Sequence, residues 1–500
     1  MNLLPSLSWS VLAAVMLAGC ASIEPAPTPG SADAPVASQW HAPLAHEGSV
    51  AELQDWWEQF DDALMLSLIL DGQSASANLA EAVARVADAQ AARVGSVAAL
   101  MPSLDAVIDS SRGRSELGAP VGSLSSAGLQ ASWELDLFGA NRAGASAAQA
   151  QLEASLAGWH DARASIAAEI ATTYVELRAC EAQILQAEMD VGSRRETARL
   201  TDLMANSGFQ ASAEADLAQA SAAQGQVTLA EQRAQCEYLV KALVALTARN
   251  EPELRQALAG ATAQLPRPAA FRVDTVPAQV LIQRPDIHAA ARDVVVASAE
   301  SVQAQALRWP RVMLSGNIGS TRMAEGGVST DGTVWTVGPV SVTIPLFDGG
   351  ARRANAEAAQ VRYEVATVVY AERLRNAIRE VENALVTLQS TATRGDDARR
   401  AADGFERSYR AVESRYRVGN ASLFELEDAR RSMVAAQVAL IELHASVSPA
   451  GSRCTGRSAA AGLRISWRTS PVPDVHLNQF VHCPTARTAV MSPCSGTPFA

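Results

Sequence analysis

The chain has 500 residues, of which 48% are hydrophobic and 19% charged, and it carries a net charge of −12. This balance excludes both a disordered chain and a polytopic helical membrane protein. The acidic excess argues against nucleic-acid binding, because a phosphate-reading surface needs a basic one.

Residues 3–18 form an apolar run that ends Leu17-Ala18-Gly19-Cys20. The run is too short to span a bilayer with its flanks, so 1–19 reads as a secretory signal, although no Lys or Arg precedes it. The ending resembles a bacterial lipobox, in which Cys20 would be diacylated and become the mature N-terminus. An ordinary cleavage site beside an incidental cysteine is the alternative. Residues 20–50 are rich in Pro, Ala and Ser and read as a flexible tether. Trp56-Trp57 is expected to pack the N-terminal segment onto the helices. No later apolar stretch reaches the length of a membrane-spanning helix. An exported chain of this kind either stays anchored in the periplasm or spans by β-strands.

The remainder reads as a duplication with an offset of about 210 residues. Pro102 pairs with Pro310, Leu137-Phe138-Gly139 with Leu346-Phe347-Asp348, and Gly208 with Gly419. The first repeat covers 51–265 and the second 266–448. Each opens with an Ala-rich helical stretch, about 78–100 and 286–308. Each then has two short alternating segments around a Gly/Ser-rich loop, and a long helical stretch interrupted once. Period-2 alternation is strict in Leu129–Leu137 and clear in Val340–Ile344. The four strands are expected at about 103–112, 127–137, 311–322 and 333–345, long enough to cross a bilayer when tilted. The connecting loops are expected at about 113–125 and 324–332.

No proline occurs from 121 to 251 or from 346 to 448. Proline breaks helix interiors, so 140–206 and 350–417 can each form a helix of roughly 100 Å. Helical hairpins are expected to turn near 208 and 419, where Gly208 and Gly419 supply the stop. Cys180 and Cys236 are placed symmetrically about Gly208. Antiparallel helices turning there would set them opposite one another, and an oxidising compartment would allow a disulfide. Two unrelated buried thiols are the alternative.

Three motifs in this order and spacing resemble the outer-membrane factor (TolC-like) family of tripartite efflux systems, in its NodT/OprM-like lipoprotein branch. They are Arg284-Pro285-Asp286-Ile287, Leu346-Phe347-Asp348-Gly349-Gly350, and Tyr416-Arg417-Val418-Gly419 with Asp428-Ala429. The resemblance covers about 50–448. It implies a mainly α fold with a small β part: long periplasmic hairpins, and four transmembrane strands per chain that complete a 12-stranded barrel in a homotrimer. It also implies a periplasmic adaptor, an inner-membrane pump of the resistance-nodulation-division type, and export of drugs or other small toxic compounds through a lipid-anchored outer-membrane channel.

Residue by residue, the resemblance assigns a periplasmic gate to Asp428, Glu425, Tyr416 and Arg431. It assigns adaptor contact to the hairpin tips at Gly208, Glu214, Gly419 and Ser422. The arginine that partners Glu214 in some members falls at Ala421 here, so that latch is absent or replaced. An acidic residue early in a helix can equally serve the macrodipole. The seven histidines form no ligand cluster in sequence, and no phosphate loop or catalytic motif occurs. No metal, cofactor or enzymatic activity is therefore expected. A lipid-anchored periplasmic coiled-coil scaffold without a pore is the alternative; it would need the helices but not the strands.

The helical pattern stops at Ser448, followed by Pro449. Residues 449–500 contain Cys454, Cys483 and Cys494, a single acidic residue, Asp474, and no visible period. They read as a tail foreign to the repeats, consistent with a change of reading frame; a genuine disordered extension is the alternative.

Overall fold

The computed structural model describes residues 60–114, 120–266 and 284–462, with side chains to 446. Cys20, the signal, the tether, Trp56-Trp57 and the tail beyond 462 lie outside the described residues. Two compact units are separated at Gly462, and only the first, ending there, contains described residues.

The first repeat contributes helices α1 (Ala63–Ala75) and α2 (Ala77–Ala98), strands β1 (Ser103–Gly113) and β2 (Gly122–Leu135), the long hairpin α3 (Ala140–Asn206) and α4 (Ser212–Thr247), and a short α5 (Glu251–Ala259). The second contributes α6 (Pro285–Ala306), β3 (Arg311–Glu325), β4 (Val328–Thr343), and the hairpin α7 (Ala351–Arg417) and α8 (Leu423–Gly462). No helix among the described residues is long and apolar enough to cross a membrane.

The strands form one antiparallel sheet in the order β1-β2-β3-β4. Its register separates two faces. Rows Leu104–Ala131–Gly316–Val337 and Ala106–Leu129–Ile318–Trp335 make one face apolar. Rows Asp105–Gln130–Asn317–Thr336 and Asp109–Ser126–Thr321–Gly332 make the other polar. Ile108, Trp335 and Val337 on the apolar face are 83%, 68% and 84% exposed, so no described residue covers it. Gly128 faces Gly319 on the polar side, where an added Cβ would lie 2.8 Å from the opposing Cα. That close approach requires glycine.

Three strand boundaries differ from expectation. β2 begins at Gly122 rather than near 127, and β4 at Val328 rather than near 333. β3 runs to Glu325, leaving only Gly326-Gly327 as the turn, with φ of +60° and +87°. Two consecutive positive φ values make the tight hairpin turn that glycine pairs favour. Pairing with β1 and β3 recruits Gly122–Ser126, which has no alternation of its own.

The Leu-Phe-Gly and Leu-Phe-Asp-Gly-Gly motifs start the long helices. Asp136 accepts the Arg142 N–H at 2.9 Å, and Asp348 accepts those of Gly350 and Arg352 at 2.9 and 3.2 Å. These carboxylates satisfy donors that a helix start leaves open. The two N–H groups hold the Asp348 carboxyl below its ordinary pKa.

Three clusters hold the helices together. The first joins α1, α3, α4 and α5 around Met65, Leu68, Ile170, Tyr174, Leu243 and Leu254. There Tyr174 donates to Asp62 at 2.8 Å, and burial pushes its phenol up to about 12. Arg178, fully buried, donates to Glu181 at 2.8 Å and to the Leu258 carbonyl at 3.0 Å. Cys180 and Cys236 are joined in a disulfide at the edge of this cluster, with a Cα–Cα distance of 5.7 Å. The second cluster packs α6 on α7 through Ile287, Val294, Tyr370, Leu374 and Val381. Arg284 of the Arg-Pro-Asp motif is buried beside it, 2.8 Å from both Asp286 and Glu380. The third lies at the tips.

The stop expected at Pro449 is not observed, because α8 continues to Gly462. A proline removes its own N–H and displaces one carbonyl. Ala450 and Ala459–Ala461 are strong helix formers, and the helix runs through the proline without a break.

Candidate functional site at the hairpin tips

Each hairpin turns on a left-handed glycine, Gly208 at φ +75° and Gly419 at +77°. In both, the N–H of the following residue returns to a helix carbonyl: Phe209 to Met204 and Asn420 to Arg415, each at 2.8 Å. A Cβ at either glycine would strain the turn. The second helix of the second tip opens with a capping box. Glu425 N–H donates to Ser422 Oγ, and Ser422 N–H donates to the Glu425 carboxylate, both at 3.2 Å. Glu425 also lies 3.7 Å from Arg415. Phe209, Val418 and Phe424 project from the turns, 81%, 70% and 74% exposed.

The four expected gate residues do not share one environment. Asp428 and Arg431 are exposed on α8 and make no ion pair among the described residues. Glu425 is exposed but engaged in the cap. Tyr416 is buried, and its hydroxyl lies 2.6 Å from Thr201 Oγ1, bridging the second hairpin to the first. Glu214 sits in the first turn of α4, where its charge suits the helix dipole.

A denser polar cluster lies one residue away from the expected pair. Glu427 and Arg430 precede Asp428 and Arg431 by one position each, which turns them by about 100° around the helix toward α3. Arg430 is fully buried; it pairs with Glu427 and donates to Ser193 and Thr197 at 3.0 and 2.9 Å. Its guanidinium lies 5.7 Å from the Tyr409 ring centroid. The Tyr409 hydroxyl is 2.5 Å from Ser193 Oγ. Arg194 donates to Asp190 and to Ser221, both at 2.7 Å, and Ser221 donates to Glu427 at 2.8 Å. Side chains of α3, α4, α7 and α8 therefore meet in one network. Sequence reasoning missed it, and the repeated acid–arginine spacing in Glu427-Asp428 and Arg430-Arg431 was the available signal.

An internal duplication, a sheet whose apolar face no described residue covers, and two long hairpins together define an outer-membrane channel protein. The sequence matches the family described as "Outer membrane efflux protein" over residues 69–249 and 276–450. The chain belongs to that family and is an outer-membrane efflux component. It is similar to Nodulation protein T of Rhizobium leguminosarum bv. trifolii, at 30% identity over 77% of this chain and 83% of that one. It is 26% identical to Outer membrane protein OprJ of Pseudomonas aeruginosa, over 88% of this chain and 92% of that one. Its fold resembles the outer-membrane channel OprN with a TM-score of 0.75 at 25% identity, covering 88% of this chain and 98% of that one.

Proposed function

We propose that the chain is one protomer of a homotrimeric, lipid-anchored duct in the outer membrane, non-catalytic and without a cofactor. Cys20 carries the anchor. A periplasmic adaptor joins the duct to an inner-membrane pump of the resistance-nodulation-division type, and drugs or other small toxic compounds leave through it. The observation that carries this reading is the sheet: four strands whose apolar face and outer edges on β1 and β4 are uncovered among the described residues. In lipid, each unpaired backbone group costs several kcal/mol, so four strands alone are not viable, and three copies supply a closed barrel of about twelve. A coiled-coil scaffold without a pore has no use for that face.

Asp428 forms an anionic ring at the periplasmic entrance, with Glu425 beside it, and Tyr416 and Arg431 latch the entrance. The tips at Gly208, Glu214, Gly419 and Ser422 meet the adaptor, with Phe209 and Phe424 as apolar knobs. Residues from 449 onward reflect a change of reading frame; the end of the family match at residue 450 supports this. In planar bilayers, Asp428→Asn should weaken block by trivalent cations and raise resting conductance, because charged rings set ion selectivity. Unchanged block and conductance in this variant would remove Asp428 from the gate.

A further inference from the structure

We propose that Arg430 is a positioning residue: a fulcrum that fixes the second hairpin to the first, so that movement at the entrance is confined to the tip side of it. This rests on the channel reading. Arg430 lies seven residues past Leu423, about 10 Å into α8 at 1.5 Å per residue. Below it, Tyr416, Leu423 and Leu426 share one apolar cluster with Ala198 and Ala218 of the first hairpin, which is non-directional, and the polar contacts between hairpins and across the second turn are weak. Tyr416 and Thr201 share one hydrogen bond between neutral hydroxyls, and the Arg415–Glu425 pair is half exposed and screened by water. At Arg430 the contacts are of a different kind. A guanidinium with no exposed side-chain surface is paired with Glu427, lies 3.8 Å from Asp190, and donates to two hydroxyls of α3. Hydrogen bonds to charged groups are roughly twice as strong as neutral ones. Drawing α8 away from α3 here would strand a buried cation from its hydroxyl partners, which costs more than exchanging a neutral bond for water.

The network also resists sliding. Glu427 is tied to Ser221 of α4 at 2.8 Å and lies 3.4 Å from Arg194 of α3, and Arg194 holds Asp190. Two arginines and two carboxylates balance within it, so it needs no outside ion. Tyr409 brings α7 to the same point through Ser193. All four hairpin helices are joined at this level. The Tyr416 hydroxyl near the turn makes its hydrogen bond to α3 alone among the described residues.

The test is hydrogen–deuterium exchange of the detergent-solubilised trimer, read by mass spectrometry for wild type, Arg430→Gln, Arg430→Lys and Tyr416→Phe. In wild type, amides of 418–428 should exchange at least about tenfold faster than those of 432–446, with the break at Arg430. Arg430→Gln should carry fast exchange past the break, into 432–446 and 193–201. Arg430→Lys keeps the charge but not the fork, and should restore part of the protection. Tyr416→Phe should act on the tip alone. If Arg430→Gln does not assemble, Glu427→Gln gives the same reading. A smooth wild-type gradient through 430, a variant that changes only the tip, or a uniform rise reaching 140–180 would each overturn the proposal. None of these readouts depends on conductance, so failure of the channel reading would be seen separately.

Discussion

Removing the Cys180–Cys236 disulfide should destabilise the helical part of the protein by several kcal/mol. The link closes a loop with a sequence separation of 56 residues. Chain entropy for such a loop, 2.1 + 1.5R ln n, is about 14 cal/mol/K, or about 4 kcal/mol at 25 °C. The cross-link sits about 28 residues, roughly 42 Å, above the first tip, so it fixes the register of α3 against α4 along most of the free hairpin. Cys180→Ala with Cys236→Ala removes it and leaves the surrounding Tyr174, Leu177 and Val240 in place. For a cooperative unit of about 150–250 residues, each kcal/mol moves the melting temperature by about 2–4 °C. The double variant, followed by circular dichroism in detergent at one scan rate, should melt about 8–16 °C below wild type, and reductant should move wild type toward it. Trypsin digestion without reductant should give one linked pair, Ala179–Arg194 with Ala234–Lys241. Two free thiols in mature protein, or coincident melting of wild type and variant, would refute the reasoning.

Tyr416→Phe deletes one buried hydrogen bond while Thr201 keeps its bond to the Thr197 carbonyl, so a loss of about 1 kcal/mol is expected in melts. Gly128→Val places a side chain against the Ile318 carbonyl and Gly319, and should abolish the trimer band on unheated gels. Asp348→Ala tests the α7 cap by its pH dependence. The native carboxyl has a lowered pKa, so its contribution is present above the unfolded value of about 3.9 and lost as pH falls through the folded one. Between neutral pH and about pH 3, the variant's melting temperature should therefore fall less than that of wild type.

The sequence exposes most of the fold because its signals are local. Strict alternation marks the core of β2, proline-free stretches permit α3 and α7, and positive-φ glycines end them. The ends of β2 and β4 were hidden, because Gly122–Ser126 and Val328–Gly332 are extended by pairing rather than by any pattern of their own. The continuation past Pro449 was hidden for a related reason, since one breaker outweighs several good helix formers in a local reading. At the site, sequence reasoning found the exposed residues Asp428 and Arg431 by their place in a motif. It missed Glu427 and Arg430, because which of two adjacent acid–arginine pairs is buried depends on how α8 packs on α3. That information is tertiary.

The central claim is that three copies close one membrane barrel from four strands each. It is tested most directly by electrophoresis of the sarkosyl-insoluble outer-membrane fraction, heated and unheated. The account predicts, before heating, a band at about three times the mass of the processed chain, which is slightly below the 52.5 kDa of all 500 residues, collapsing to the monomer after it. Recovery as a sarkosyl-soluble species that migrates as monomer with or without heating would contradict it.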